Sequence, residues 1–216
     1  MIGIRGAKVA ELFRMNDRNV TALAATSLSA AAGFALVATA VARRKTSRID
    51  RALRPRLKLR KGHPVRSAAD AMAPLGKWWA YLPASLGVAA QLRHQPAGAV
   101  VVVTSAVLAA ATAQLFDRVL PQPPAPPGHR ARTKPVFPSG HAFGTGTVSM
   151  TAGYVLAREG LMSREAAVAT ALGLPLISAG GKMLEEKHWG SDVLGGLLAA
   201  VSMSAACLAI YEAVRD

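Results

Sequence analysis

Apolar stretches long enough to cross a bilayer, about twenty residues each, recur along this chain and are separated by short polar segments. Val20 to Ala42 carries no charge and ends against Arg43-Arg44-Lys45, so it predicts a first span. Residues 67–92 predict a second, interrupted by Pro83 and by Lys77 beside Trp78 and Trp79, a pattern that suits a lysine snorkelling at an aromatic belt. Residues 97–117 predict a third span, Ser139 to Arg158 a fourth, and 164–181 a fifth, with Ser163 as N-cap and Pro175 as a kink. Trp189 to Tyr211 predicts a sixth. The fold class expected is therefore all-α, an integral membrane bundle of about six transmembrane helices, because only helices and closed barrels satisfy their backbone in lipid.

The segments between the spans divide the chain. Residues 1–19 place Ile4, Val9, Leu12 and Phe13 near one helical face and predict a short interfacial helix ahead of the first span. Residues 43–66 carry eleven lysines and arginines against the single acid Asp50, and such a run hugs an anionic surface. We expect residues 1–66 to form an N-terminal part and 67–216 the membrane core. Prolines crowd the loop at 118–138, which stiffens it against helix formation. The glycines and serines dotting 140–153 predict close helix packing, and with no strand before them they do not make a dinucleotide loop.

Composition sharpens this picture. The chain has 216 residues, 51% of them hydrophobic and 18% charged, poorer in charge than the roughly one quarter usual for soluble domains. A net charge of +14 suggests nucleic acid at first sight. The basic residues, however, flank apolar runs and are not interleaved with aromatics, so no nucleic-acid partner is expected; anionic headgroups at 43–66 are. Cys207, the single cysteine, allows no internal disulfide and no cysteine metal site. The oligomeric state is not specified.

Two polar clusters stand at the mouths of otherwise apolar helices. Phe137-Pro138-Ser139-Gly140-His141 opens the fourth span, and the N–H groups of a helix start there would face an anion beside His141. His188-Trp189-Gly190-Ser191-Asp192 opens the sixth. The four-residue spacing of His188 and Asp192 would stack them on one helix face, the carboxylate holding the imidazole in one tautomer. With six spans, the loops after the first, third and fifth share one side of the membrane, so both clusters belong to the same face. Two histidines, a carboxylate and a helix N-terminus are the parts that phosphate transfer needs.

Phe-Pro-Ser-Gly-His followed by His-x-x-x-Asp, each at a helix mouth, resembles the type 2 phosphatidic acid phosphatase superfamily, whose fold also serves the vanadium haloperoxidases. The similarity covers roughly residues 67–210. It implies a metal-independent hydrolase acting on a phosphomonoester or terminal diphosphate of a phospholipid or polyprenyl lipid. By that resemblance His188 is the nucleophile that becomes a phosphohistidine, Asp192 orients it, and His141 protonates the leaving oxygen. Ser139 and Gly140 would hold the non-bridging oxygens.

The chain departs from the family pattern in its cations. Lys182 stands where an arginine is usual, which keeps the charge and loses the bidentate fork. The first motif is degenerate: its Arg-Pro falls at Gln122-Pro123 and its lysine at Leu115. Lys134, Arg132, Arg130 and Arg118 are the candidate substitutes. A non-catalytic lipid-phosphate-binding or scaffold protein on the same fold is the alternative reading. The basic loop at 43–66 puts the site mouth on the cytoplasmic face of the cell membrane.

Overall fold

The computed structural model describes residues 3–57, 59–60, 62–124, 126 and 136–215. Helices α1 (Gly3–Ala42), α2 (Ser47–Leu57), α3 (Pro64–Met72), α4 (Trp78–Gln91), α5 (Pro96–Val119), α6 (Gly140–Arg158), α7 (Arg164–Leu184) and α8 (Gly190–Val214) follow in order. There is no strand among the described residues. Among the described residues, four helical stretches, in α1, α5, α7 and α8, are long and apolar enough to cross a membrane.

Three expectations are corrected. The interfacial helix and the first span are one continuous helix of 40 residues, about 60 Å long. No proline or glycine lies between Ala7 and Ala32 to break it; the side chains of Ile4, Val9, Leu12 and Phe13 fall outside the described residues. The second span is broken: α3 ends in a 3₁₀ turn, Ala73–Gly76, before α4 begins. Pro74 cannot donate to the preceding turn, and the chain re-starts a helix only at Trp78. Lys182 to Leu184, expected in a loop, continue α7.

Helix α6 is the centre of the bundle, with α4, α5, α7 and α8 packed around it. Its glycines make this possible. A β-carbon on Gly146 would lie 2.8 Å from the Ala200 β-carbon, and one on Gly144 would lie 2.5 Å from the Tyr81 ring. Because its neighbours shield it from lipid, α6 tolerates buried hydroxyls that an outer helix would not. Thr151 donates to the Thr147 carbonyl at 2.8 Å, and Thr145 to the Leu75 carbonyl at 3.2 Å. Helix α1 lies outermost along α8, with the Ser27 hydroxyl donating to the Ser202 carbonyl. Leu36, Val107, Leu172 and Ile210 face outward from the bundle, as lipid contact requires.

Helices α6 and α8 run parallel and are pinned together at both ends. At one end the Ser139 N–H donates to the Asp192 carbonyl at 2.9 Å. At the other, Arg158 grips the fully buried Glu212 through two bonds of 2.9 and 3.2 Å, and the Tyr154 hydroxyl adds a third. A buried carboxylate so satisfied resists sliding of one helix past the other.

Candidate active site

The first pin brings the two polar clusters together. Ser139 is the N-cap of α6, its hydroxyl oxygen accepting from the Ala142 N–H at 3.4 Å. Gly140 and His141 then occupy the first helical positions, whose N–H groups have no carbonyl of their own helix to bind. A β-carbon on Gly140 would meet nothing within 4 Å, so this helix start faces open space. It has the form of an anion seat.

Helix α8 begins differently from the expected stacking. His188 precedes the helix, which is capped at Trp189, and so it does not share a helix face with Asp192. Asp192 Oδ2 accepts the Trp189 N–H at 2.7 Å, and His188 Nδ1 stands 3.6 Å from that same oxygen, beyond hydrogen-bond length. A second carboxylate caps the helix. Asp50, on α2, accepts the Ser191 N–H at 3.0 Å and the Ser191 hydroxyl at 2.8 Å, and it is buried there. The start of α8 is thus filled by two acids while the start of α6 is open.

The imidazoles of His141 and His188 face each other edge to face with centroids 6.2 Å apart. His141 Nε2, His188 Nδ1 and Asp192 Oδ1 are all buried without a hydrogen-bond partner. Buried polar atoms are seldom left so: His188 Nδ1 stops just short of the Asp192 carboxylate, and His141 Nε2 awaits a polar partner.

Lys182 is buried on the last turn of α7 and donates to Glu185 Oε1 at 2.5 Å; Lys187 binds the other oxygen of the same carboxylate. Burial alone would raise the Glu185 carboxyl, but these two lysines outweigh it and hold it down to about 2. The backbone explains the position. Glu186 adopts a left-handed conformation (φ 58°) that ends α7, so that the Lys187 N–H returns to the Lys182 carbonyl at 2.8 Å and the Glu186 N–H to that of Met183 at 2.9 Å. The His188 N–H also reaches the Lys182 carbonyl, at 3.3 Å, which ties the histidine to the helix that carries the lysine.

Of the other candidate cations, Lys134, Arg132 and Arg130 lie outside the described residues. Arg118 is exposed in the last turn of α5 and makes no side-chain hydrogen bond or ion pair among the described residues. Gln122, in the place expected for an arginine, serves the backbone. Its Oε1 accepts the N–H groups of Val136 and Phe137 at 2.9 and 3.0 Å, and its Nε2 donates to the Phe137 carbonyl at 2.8 Å. The Trp189 indole donates to the Pro124 carbonyl at 2.8 Å, and Arg54 pairs with Glu186 at 2.6 Å. The loops after α1, α5 and α7 therefore meet on one face.

Sequence reasoning missed four contributors. Gly196 lets α6 start against α8, since its β-carbon would lie 2.6 Å from the Ser139 carbonyl oxygen; Gly195 similarly admits the Phe137 ring. Gly76 packs its backbone on the His141 ring. Asp50 was visible only as a lone acid in a basic run. Among the described residues, no three His, Cys, Asp or Glu side chains form a metal-ligating group.

No curated protein matches the chain significantly. A solved structure, the crystal structure of the first transmembrane PAP2 type phosphatidylglycerolphosphate phosphatase from Bacillus subtilis, superposes with a TM-score of 0.76 at 16% identity, covering 88% of this chain and 98% of that one. The family model of the PAP2 superfamily matches residues 24–216, which takes in both histidine clusters and every helix of the bundle in whole or part, and the chain belongs to that superfamily.

Proposed function

We propose that this membrane protein is a phosphatase that removes a phosphomonoester or a terminal diphosphate phosphate from a phospholipid or polyprenyl lipid. The observation that carries the proposal is the meeting of the His141 and His188 rings, centroids 6.2 Å apart, with Asp192 Oδ2 3.6 Å from His188 Nδ1, beside the open start of α6. Phosphate oxygens would lie on the Ser139 hydroxyl and the Gly140 N–H. His188 would attack phosphorus through Nε2, since its Nδ1 faces Asp192, and the 3.6 Å gap to the carboxylate would shorten as positive charge develops on the ring. The bond from phosphorus to the lipid oxygen breaks as His141 protonates that oxygen. Water then attacks the phosphohistidine, giving its proton to His141 and releasing inorganic phosphate.

A lipid substrate is supported by an apolar cavity of about 250 Å³ that begins at Leu75 and Thr145, one helical turn past His141. It continues between α4, α6 and α7 to Leu156 and Met162. The cavity of about 730 Å³ beside Tyr154 and Arg158 lies at the other end of α6 and has no part in this chemistry. The solved relative is titled a phosphatidylglycerolphosphate phosphatase, which puts that lipid first among substrates to try.

The test is phosphate release from phosphatidate, phosphatidylglycerol phosphate, polyprenyl diphosphate and polyprenyl-sugar phosphate in detergent, without added metal and with vanadate as inhibitor. We expect turnover of at least one, and a loss of roughly a thousandfold or more in His188→Ala. Activity retained in that variant would sink the mechanism. No turnover by wild type, with vanadate still bound, would instead indicate a lipid-phosphate binder.

We also propose that the mouth faces the cytoplasm, from the charge excess of residues 43–66. A cysteine at Ser47, with Cys207 replaced, should be labelled only from the cytoplasmic side. Labelling from outside would reverse the orientation.

A further inference from the structure

Among the described residues, the cations near the site are already committed. Lys182 and Lys187 share the Glu185 carboxylate, and Arg54 is held by Glu186. A phosphate with two negative charges needs a cation that is not already committed.

The 3₁₀ turn that interrupts the second span ends beside the general acid. A β-carbon on Gly76 would lie 2.2 Å from Cδ2 and 2.6 Å from Cγ of His141, so the backbone there rests on the imidazole. The turn is fastened in place: Thr145, one turn along α6 from His141, donates to the Leu75 carbonyl at 3.2 Å and to the Ser178 hydroxyl at 3.5 Å. The next residue, Lys77, caps α4 in an extended conformation (φ −99°, ψ 141°) with its N–H on the Pro74 carbonyl. Its ammonium is exposed and has no hydrogen bond or ion pair among the described residues, yet it is one of the charged groups that act on His141. Trp78 and Trp79 follow it, both exposed, as residues that favour headgroup depth would be.

We propose that Lys77 is a phosphate-binding residue of this site, supplying from the start of α4 the charge that the degenerate first motif lacks. The inference rests on the reading of the site as a phosphatase centre. Lys77 stands at the start of α4, directly after the glycine that rests on His141, so its ammonium would meet a non-bridging oxygen while His141 meets the leaving oxygen. Lysine suits this role because it acts as a point charge on a flexible stem and demands no bidentate geometry.

A lysine that only snorkels at the interface would affect lipid partitioning and nothing else, so the test uses small anions. With a water-soluble phosphomonoester, Lys77→Ala should raise KM about tenfold while kcat falls less than about threefold, and should weaken orthovanadate inhibition by a similar factor. Lys77→Arg should restore both, and Lys77→Gln should not. Unchanged KM and unchanged vanadate inhibition in Lys77→Ala would overturn the proposal. If wild type turns over no phosphate ester, the phosphatase reading itself fails, and Lys77 is then judged by amine modification followed by mass spectrometry. Protection of Lys77 by orthovanadate on the wild-type protein supports a phosphate-binding residue; equal modification with and without it overturns one.

Discussion

The backbone N–H of Ser139 donates to the backbone carbonyl of Asp192 at 2.9 Å, joining the middle residue of one polar cluster to the last residue of the other. No side chain takes part, so the contact depends on how closely α6 and α8 can approach. That closeness is set by Gly196. A β-carbon there would lie 2.6 Å from the Ser139 carbonyl oxygen and 2.7 Å from the Ala142 β-carbon, and neither the backbone nor a helical alanine can swing aside.

Gly196→Ala is therefore expected to push the start of α6 away from α8. The protein should lose about 1–3 kcal/mol of stability. Activity should fall by roughly a hundredfold, as displacement of a positioned group predicts. Gly173→Ala, whose new β-carbon meets nothing within 4 Å, is the control and should be neutral or slightly stabilising. Melting temperature and phosphate release on both variants decide the matter; equal behaviour would show that α6 has room to spare.

Gln122 gives a second prediction. It satisfies the buried Val136 and Phe137 N–H groups and the Phe137 carbonyl, just ahead of the anion seat. Gln122→Ala leaves these groups unpaired at about 1–3 kcal/mol each, and the segment should loosen. Phosphate release should drop roughly tenfold or more, chiefly in kcat, because the seat is misplaced and the substrate pocket is not removed. Gln122→Glu keeps the acceptor and should fall between. A variant that weakened only KM would show that Gln122 touches substrate directly.

The third prediction concerns acid. Glu185 is held down to about 2 because Lys182 and Lys187 overcome the effect of its burial. Its folded value lies below the unfolded carboxylate range, so its contribution to stability is complete above about pH 4.3 and is lost as pH falls toward 2. Melting temperatures in detergent should fall between about pH 4 and pH 2 in wild type, and Glu185→Gln should flatten that slope and lower the neutral-pH melting temperature by several degrees. An identical slope in the variant would place the acid sensitivity elsewhere.

Much of the architecture was legible in the residue pattern because apolar runs and spacing are local signals. The helices beginning at Pro96, Gly140, Arg164 and Gly190 start within a residue of expectation, and loop parity placed both histidine clusters on one face. What escaped depends on residues distant in sequence. Gly76 and Gly196 read as helix weakeners until the partner that fills their space is known. Lys77 beside two tryptophans fits an interface anchor equally well, since nothing local reveals that its turn rests on His141. The stacking of His188 over Asp192 failed for a local reason: Asp192 spends one oxygen on the Trp189 N–H, which starts the helix two residues after the histidine.

Asp50 and Asp192 together close the first turn of α8, whereas the first turn of α6 is left open. Two parallel helices thus present opposite electrostatic characters to the same small space. Under the proposed chemistry this makes the site one-way: a dianion is turned from the α8 rim toward α6, so His188 meets phosphorus on the face away from the departing lipid. Which helix start was already occupied would thus decide the side from which the nucleophile approaches.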